Sequence, residues 1–156
     1  MPGNPGILAG GWQTLQTVLF FFLLSAVSVW DIRFRIIPDR LQIGIALLML
    51  LDFSPGNLFG ILALLPYLAV ALCADGGEGI GGGDVKLAGA IGLVLGLPAS
   101  LTASVIGLSG FVIFGLACRW RRKRQGKEEK AALPLGPFLG AGAACAYLMK
   151  MGGWIV

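Results

Sequence analysis

Histidine is absent from the sequence, and this absence removes a large part of the catalytic repertoire of proteins. Ser-His-Asp triads, Cys-His pairs and histidine-ligated zinc sites all need an imidazole. A Ser-Lys dyad at Lys86 needs none, but no serine lies at a spacing that singles it out. The glycine-rich stretch before Asp84 also lacks the Gly-Lys-Ser/Thr ending of a phosphate-binding loop, so a nucleotide site is not indicated.

Charged residues are scarce. They make up 13% of the chain, whereas 56% is hydrophobic and the mean hydropathy is +0.84. Soluble domains contain about 25% charged residues. The composition therefore predicts one integral-membrane domain over residues 1–156, in contact with lipid and with no expected affinity for nucleic acid.

Cysteine is also rare, and its three positions, Cys73, Cys118 and Cys145, are far apart. No C-x-x-C pair occurs, so neither a disulfide framework nor a cysteine-ligated metal site is indicated. We interpret the three cysteines as small apolar packing residues and expect no metal.

Long apolar runs dominate what is present. A perpendicular membrane helix needs about 20 apolar residues, and four of the six runs reach that range once their flanks are included. The second and fourth runs are shorter, and the boundary between the fourth and fifth rests on the Leu97-Pro98 pair. The runs are Leu15–Trp30, Leu41–Phe53, Leu58–Cys73, Val85–Leu97, Leu101–Cys118 and Phe138–Val156. They predict an all-α polytopic membrane protein with about six transmembrane helices.

Basic residues predict how these helices are oriented. They concentrate between the first two runs, at Arg33–Arg40, and between the last two, at Arg119–Lys130. Six spans place both segments on one side, and the positive-inside rule makes that side the cytoplasm. No Lys or Arg precedes the first run, so a cleaved signal peptide is not expected. The Arg119–Lys130 segment is interpreted as an orientation signal, with an anionic-lipid or partner site as the alternative.

Two carboxylates fall at the same predicted interface. Asp31 ends the first run and Asp84 begins the fourth, so both should lie near the cytoplasmic face, whereas Asp52 lies on the opposite one. Two carboxylates in a partly dry site share a proton and titrate as a unit, which is the arrangement of an aspartic protease. Gly81 and Gly83 are expected to allow close backbone approach and conformations closed to other residues. The alternative is that Asp84 merely caps a helix and Asp31 is an interfacial charge.

The other carboxylates are weaker candidates. Three lie on the cytoplasmic side in more polar loops, and two lie among basic residues, where we expect them to be solvated. These are Asp39, Asp75 and Glu78, and then Glu128 and Glu129.

Three short motifs stand out in the sequence. "GGGD" at Gly81–Asp84, followed by "VKL", resembles the G-x-G-D motif of the type IV prepilin peptidase family. "WDIRFRIIPDRL" at Trp30–Leu41 resembles its first aspartate motif, with Pro38 seven residues after Asp31. "LPLGPFLGAGA" at Leu133–Ala143 resembles the start of its last helix. The three motifs occur in the family's order and cover almost the whole chain from the first run onward.

The resemblance implies a multi-pass aspartic endopeptidase of a prokaryotic cytoplasmic membrane. Such an enzyme removes the short basic leader of prepilins or pseudopilins at the cytoplasmic boundary of the membrane. Asp31 and Asp84 match the catalytic pair. The matching loop residues, expected near substrate, are Gly81, Gly83, Lys86 and Pro38. No cofactor is implied.

Two departures from the family pattern stand out. Many members carry a cysteine-rich insertion associated with methylating the new N-terminus, and this sequence has none, so we expect a minimal form without methyltransferase activity. Asp39 stands where many relatives have asparagine. Two readings from other classes remain as alternatives to the peptidase. A proton-coupled carrier would place its carboxylates near mid-membrane, and a non-catalytic scaffold would tolerate the loss of either aspartate.

Overall fold

The computed structural model describes residues 5–73, 81–124 and 133–155. Within these ranges the chain is helical and contains no β-strand. The α-helices are α1 (Pro5–Phe34), α2 (Asp39–Leu47), α3 (Leu65–Cys73), α4 (Gly82–Leu95), α5 (Leu97–Arg124) and α6 (Gly136–Met151). A 3₁₀ turn, Leu48–Leu50, extends α2, and a 3₁₀ helix, Pro55–Leu64, leads directly into α3.

Three of these segments are long and apolar enough to cross a membrane. They are Gly10–Phe34, Pro55–Leu72 and Leu97–Arg124, within the part of the chain that the structure describes. The prediction of an all-α polytopic membrane protein is confirmed. Each of the six apolar runs overlaps a different one of the six α-helices, and the second and third runs also include 3₁₀ segments. Six complete spans remain a prediction.

Glycine and proline set two of the predicted boundaries. The break between the fourth and fifth runs is present, because Gly96 has a positive φ of 80° and Pro98 lies in the first turn of α5. A Cβ at Gly96 would also lie 2.8 Å from the side-chain oxygen of Asn57. The loop between α1 and α2 begins at Arg35, which has a φ of 54°, and Pro38 is the N-cap of α2. The chain therefore turns sharply just after Asp31.

Two boundaries differ from the prediction. The last helix ends at Met151 and not at Val156, because Gly153 takes a left-handed φ of 74° and closes a Schellman-type turn with Trp154 N–H donating to Met149 O at 3.0 Å. α5 continues to Arg124, so the first half of the predicted basic loop is helical. Residues 125–130 lie outside the described residues.

α4 lies at the centre of the bundle and contacts α2, α3, the 3₁₀ helix Pro55–Leu64, α5 and α6. Most of its residues from Val85 to Leu95 are buried. Gly60 and Gly92 allow the 3₁₀ helix and α4 to touch backbone to backbone, since a Cβ on either would collide with the carbonyl of the other. Small residues at helix contacts are typical of membrane bundles, in which close packing drives association.

The contacts define two ends of the bundle. At one end the side chain of Asp31 meets Gly136, the first residue of α6. At the other end Lys150 Nζ donates to Leu95 O at 2.8 Å, where α4 finishes. Phe138 packs against Phe111 and Phe114, with ring centroids 5.6 and 5.5 Å away, so the basic end of α5 lies beside the start of α6.

The two predicted basic segments therefore share one end of the bundle. Arg33, Arg35 and Arg40 flank the turn after Asp31, and Arg119–Arg124 finish α5 at that same end. We call this the Asp31 end and the opposite one the Asp52 end. Cys118 and Cys145 carry free thiols.

Candidate active site

Asp31 is a buried carboxylate in the last turn of α1, with 6% of its surface exposed. Its Oδ2 accepts a hydrogen bond of 2.8 Å from the backbone N–H of Gly136, which is 105 residues away in the chain. The first N–H groups of a helix have no partner within it, and they carry partial positive charge. Asp31 of α1 therefore caps α6, and this contact fixes one oxygen of the carboxylate.

Gly136 can approach Asp31 this closely because it has no side chain. A Cβ at this position would lie 2.7 Å from Asp31 Oδ2 and 3.1 Å from Cγ. Pro137 follows in the first turn of α6, where the missing N–H has no structural cost. The "LGPF" sequence thus supplies a backbone N–H with no side chain beside it, followed by a residue that starts a helix well.

Asp84 lies in the first turn of α4 and is partly buried. Its backbone N–H donates to Gly81 O at 3.0 Å, which begins the helix. Its Oδ1 is buried and accepts no hydrogen bond from the described residues. Asp84 does not cap its own helix, because the N-cap is Gly81, which makes no side-chain bond.

The structure brings Asp31 and Asp84 together at the same end of the bundle, close enough to interact electrostatically. α1 delivers Asp31 at its C-terminal end and α4 delivers Asp84 at its N-terminal end. The two helices are far apart in sequence, so the pairing arises from the alternating direction of the helices. The predicted convergence of the two aspartates is therefore present in the structure.

The motif glycines Gly81 and Gly83 have ordinary backbone dihedral angles. Gly81 has φ −65° and ψ 146°, and Gly83 lies within α4. The expectation that they adopt conformations closed to other residues is wrong, because among the described glycines only Gly96 and Gly153 have positive φ. Gly83 lies against the loop after Asp31, and a Cβ there would lie 3.4 Å from Ile37 Cβ, which is an ordinary van der Waals contact.

Gln42 is a residue that the sequence analysis missed. It is buried in α2, and its Nε2 donates to Gly83 O at 3.0 Å and to Ile37 O at 3.5 Å. One side chain thus ties the loop after Asp31 to the turn that carries Asp84. The available signal was a polar amide inside the apolar run Leu41–Phe53, since a buried amide in lipid requires partners.

Lys86 and Pro38 lie in the two segments that carry the aspartates. Lys86 Nζ forms an ion pair of 2.9 Å with Asp39 Oδ1, and both side chains are more than half exposed. Pro38 is the N-cap of α2, and its carbonyl accepts from Leu41 N–H at 3.1 Å. The ion pair therefore joins the start of α2 to the N-terminal part of α4.

The remaining candidates lie elsewhere. Asp52 lies at the end of the bundle opposite Asp31. It lines a cavity of about 410 Å³ there, together with Asn57, Leu95 and Lys150. The residues 5–73, 81–124 and 133–155 contain no group of three or more acidic, cysteine or histidine side chains that could hold a metal ion. Four predicted loop carboxylates, Asp75, Glu78, Glu128 and Glu129, lie outside the described residues.

Three known proteins to which the chain is similar carry the same name. The chain is 33% identical over 143 residues to a prepilin leader peptidase/N-methyltransferase of Bacillus subtilis, covering 87% of this chain and 56% of the relative. It is 28% identical over 158 residues to the protein of that name from Xanthomonas campestris, covering 94% and 50%. A third protein of that name, from Burkholderia pseudomallei, is 33% identical over 132 residues, covering 78% and 42%.

The chain spans about half the length of the curated relatives it matches. No solved structure matches it. The type IV leader peptidase family matches residues 18–118, a range that contains both Asp31 and Asp84. The chain belongs to the type IV leader peptidase family.

Proposed function

We propose that this protein is a membrane-embedded aspartic endopeptidase in which Asp31 and Asp84 form the catalytic pair. The observation that carries the proposal is their convergence at one end of the bundle. Asp31 is buried and capped by Gly136, and Asp84 is partly buried within electrostatic range of it. Two carboxylates in such a site share one proton, because ionising both is costly.

The shared proton supports peptide hydrolysis. The ionised carboxylate takes a proton from a water molecule, whose oxygen attacks the carbonyl carbon of the scissile peptide. The protonated partner donates its proton to the carbonyl oxygen, giving a neutral tetrahedral intermediate. When the intermediate collapses, the protonated carboxyl gives its proton to the leaving amine and the C–N bond breaks. One hydroxyl of the intermediate gives its proton to the ionised carboxylate, so the pair again holds a single proton.

The substrate follows from the family and from the position of the site. The curated relatives are named prepilin leader peptidases, and we infer that this chain removes the basic leader of a prepilin or pseudopilin. The apolar helix of such a substrate lies in the lipid beside the bundle, and its leader emerges at the Asp31 end. The positive-inside rule places that end, with its two basic segments, at the cytoplasmic face of the inner membrane.

The test is a cleavage assay with purified protein in detergent or lipid. The substrate is a pilin-like peptide with a short basic leader that ends in glycine before an apolar segment. The proposal predicts loss of the leader by a single cut at that boundary, unaffected by chelators. If the wild-type protein leaves this substrate intact and a longer relative cleaves it under the same conditions, the proposed activity is wrong.

A further inference from the structure

Tyr67 has a buried hydroxyl that the mechanism above does not use. The residue lies in α3, is 1% exposed, and packs in the hydrophobic core of the bundle. Its hydroxyl makes no hydrogen bond to the described residues. Buried hydroxyls in proteins nearly always have a partner, so an isolated one next to a functional site requires an explanation.

The helix register places Tyr67 at the level of Asp84. The 3₁₀ helix and α3 run antiparallel to α4, with Gly60 touching Gly92 and Leu64 facing Gly89. One further turn along α3 reaches Tyr67, and the matching step along α4 reaches the turn that begins with Asp84. The two side chains interact electrostatically, in agreement with this register.

Asp84 supplies the complementary group. Tyr67 Oη and Asp84 Oδ1 are the two buried side-chain atoms left without a hydrogen bond in the described part of the chain. One is a donor and the other an acceptor. Ser104 of α5 is near the phenol, but the Ser104 hydroxyl donates its own proton to Ser100 O at 2.9 Å. The Ser104 and Tyr67 hydroxyls are not in hydrogen-bond geometry with each other.

We propose that Tyr67 is a positioning residue for Asp84: its hydroxyl donates to one water molecule, which in turn donates to Asp84 Oδ1. One water satisfies both buried atoms, as buried waters typically do. The contact holds the carboxyl in one rotamer and leaves Oδ2, the oxygen nearer Gly81, for the reaction. The inference rests on the proposed function, in which Asp84 is one of the catalytic pair.

The two tyrosines of the chain provide a matched kinetic test. Tyr147 is also buried, and its hydroxyl is hydrogen-bonded to Thr17 at 2.8 Å and donates to Gln16 Oε1 at 3.5 Å, in a cavity that Asp52 also lines, at the end opposite Asp31 and Asp84. Tyr67→Phe removes the hydroxyl that holds this water against Asp84, and it should lower kcat for leader cleavage about tenfold with KM nearly unchanged. Tyr147→Phe removes a formed hydrogen bond and should leave kcat within about twofold of the wild type.

A Tyr67→Phe enzyme with wild-type kcat would overturn the inference while leaving the peptidase proposal intact. An inactive wild type would instead contradict the peptidase proposal. Equal losses in both phenylalanine variants would show that the tyrosine hydroxyls act on stability alone, and would also overturn the inference.

A spectroscopic test needs no activity. Incorporation of 3-fluorotyrosine into the Tyr147→Phe protein labels Tyr67 alone, and its ¹⁹F resonance reports on the hydrogen bond of the phenol. Asp84→Asn should shift this resonance, and Asp52→Asn at the opposite end should not. A resonance that is insensitive to Asp84→Asn would contradict the inference.

Discussion

The backbone N–H of Gly136 donates a 2.8 Å hydrogen bond to Asp31 Oδ2, so the last helix of the bundle begins on a carboxylate of the first. This contact joins two of the three sequence motifs that resemble those of the family. It also fixes the orientation of Asp31, because Oδ2 is held by Gly136. The other carboxylate oxygen then remains for other partners. The third motif brings Asp84 to the same end through the first turn of α4.

Gly136→Ala should damage the site directly. The added Cβ would lie 2.7 Å from Asp31 Oδ2, well inside van der Waals contact, so the carboxylate must move. Overpacking of this kind costs about 1–3 kcal/mol, and we expect leader cleavage to fall at least about tenfold. Gly110→Ala is the control, because its Cβ would meet Phe138 at an ordinary 3.5 Å. Equal activity of the two variants would show that the Gly136–Asp31 contact does not matter for cleavage.

Gln42→Leu should uncouple the two aspartate motifs. The substitution keeps the size of the side chain but removes the hydrogen bonds to Gly83 O and Ile37 O. Gln16→Leu is a matched control, because Gln16 is equally buried and donates to Leu48 O at 2.9 Å, nearer the Asp52 end. Leaving a buried carbonyl unpaired costs about 1–3 kcal/mol in either case.

We expect similar losses of thermal stability in the two glutamine variants but a selective loss of cleavage in Gln42→Leu. If Gln16→Leu reduced cleavage as much as Gln42→Leu, the amide of Gln42 would contribute to stability and have no special role at the site.

The ion pair between Lys86 and Asp39 should contribute little to the stability of the site or to cleavage. Both side chains are more than half exposed, and exposed pairs contribute about 0.2–1 kcal/mol. Asp39→Asn should therefore keep cleavage within about fivefold of the wild type, and raised salt should reduce the difference further. A much larger loss of cleavage in Asp39→Asn, together with recovery of cleavage in the charge-swapped double variant Asp39→Lys with Lys86→Asp, would show that the ion pair holds the site together.

The membrane orientation can be tested by cysteine labelling in intact cells. In a cysteine-free background, a single cysteine at Ser54, at the Asp52 end, should react with an impermeant thiol reagent. One at Gly126, beyond the basic end of α5, should react only after the cells are opened. The reverse pattern would place the Asp31 end outside and contradict a cytoplasmic cleavage site.

The sequence predicted the features that depend on short local patterns or on composition summed over a long run of residues. Apolar runs gave the helical segments, and the Leu97-Pro98 pair marked the break that Gly96 completes. The placement of Asp31 and Asp84 at one end followed from helix direction and the basic segments, which needed no knowledge of packing.

The rest depends on tertiary contacts that no local pattern encodes. Gln42 bridges two segments only because α2 packs on α4, and the role of Gly136 follows from its distance to Asp31. Gly81 and Gly83 are expected to take unusual conformations because glycine permits them, whereas in the structure both have ordinary dihedral angles. The end of α6 at Met151 reflects a glycine turn that an apolar run of residues did not reveal.

The most direct test of the account is leader cleavage by the two aspartate variants and their combination, at matched levels of correctly inserted protein. Asp31→Asn and Asp84→Asn should each reduce cleavage at least about 10³-fold, and the double variant should be scarcely worse, because residues that act as a unit are not additive. Asp52→Asn, at the opposite end, should cleave normally. Near-normal cleavage by either Asp31→Asn or Asp84→Asn would contradict the shared-proton mechanism.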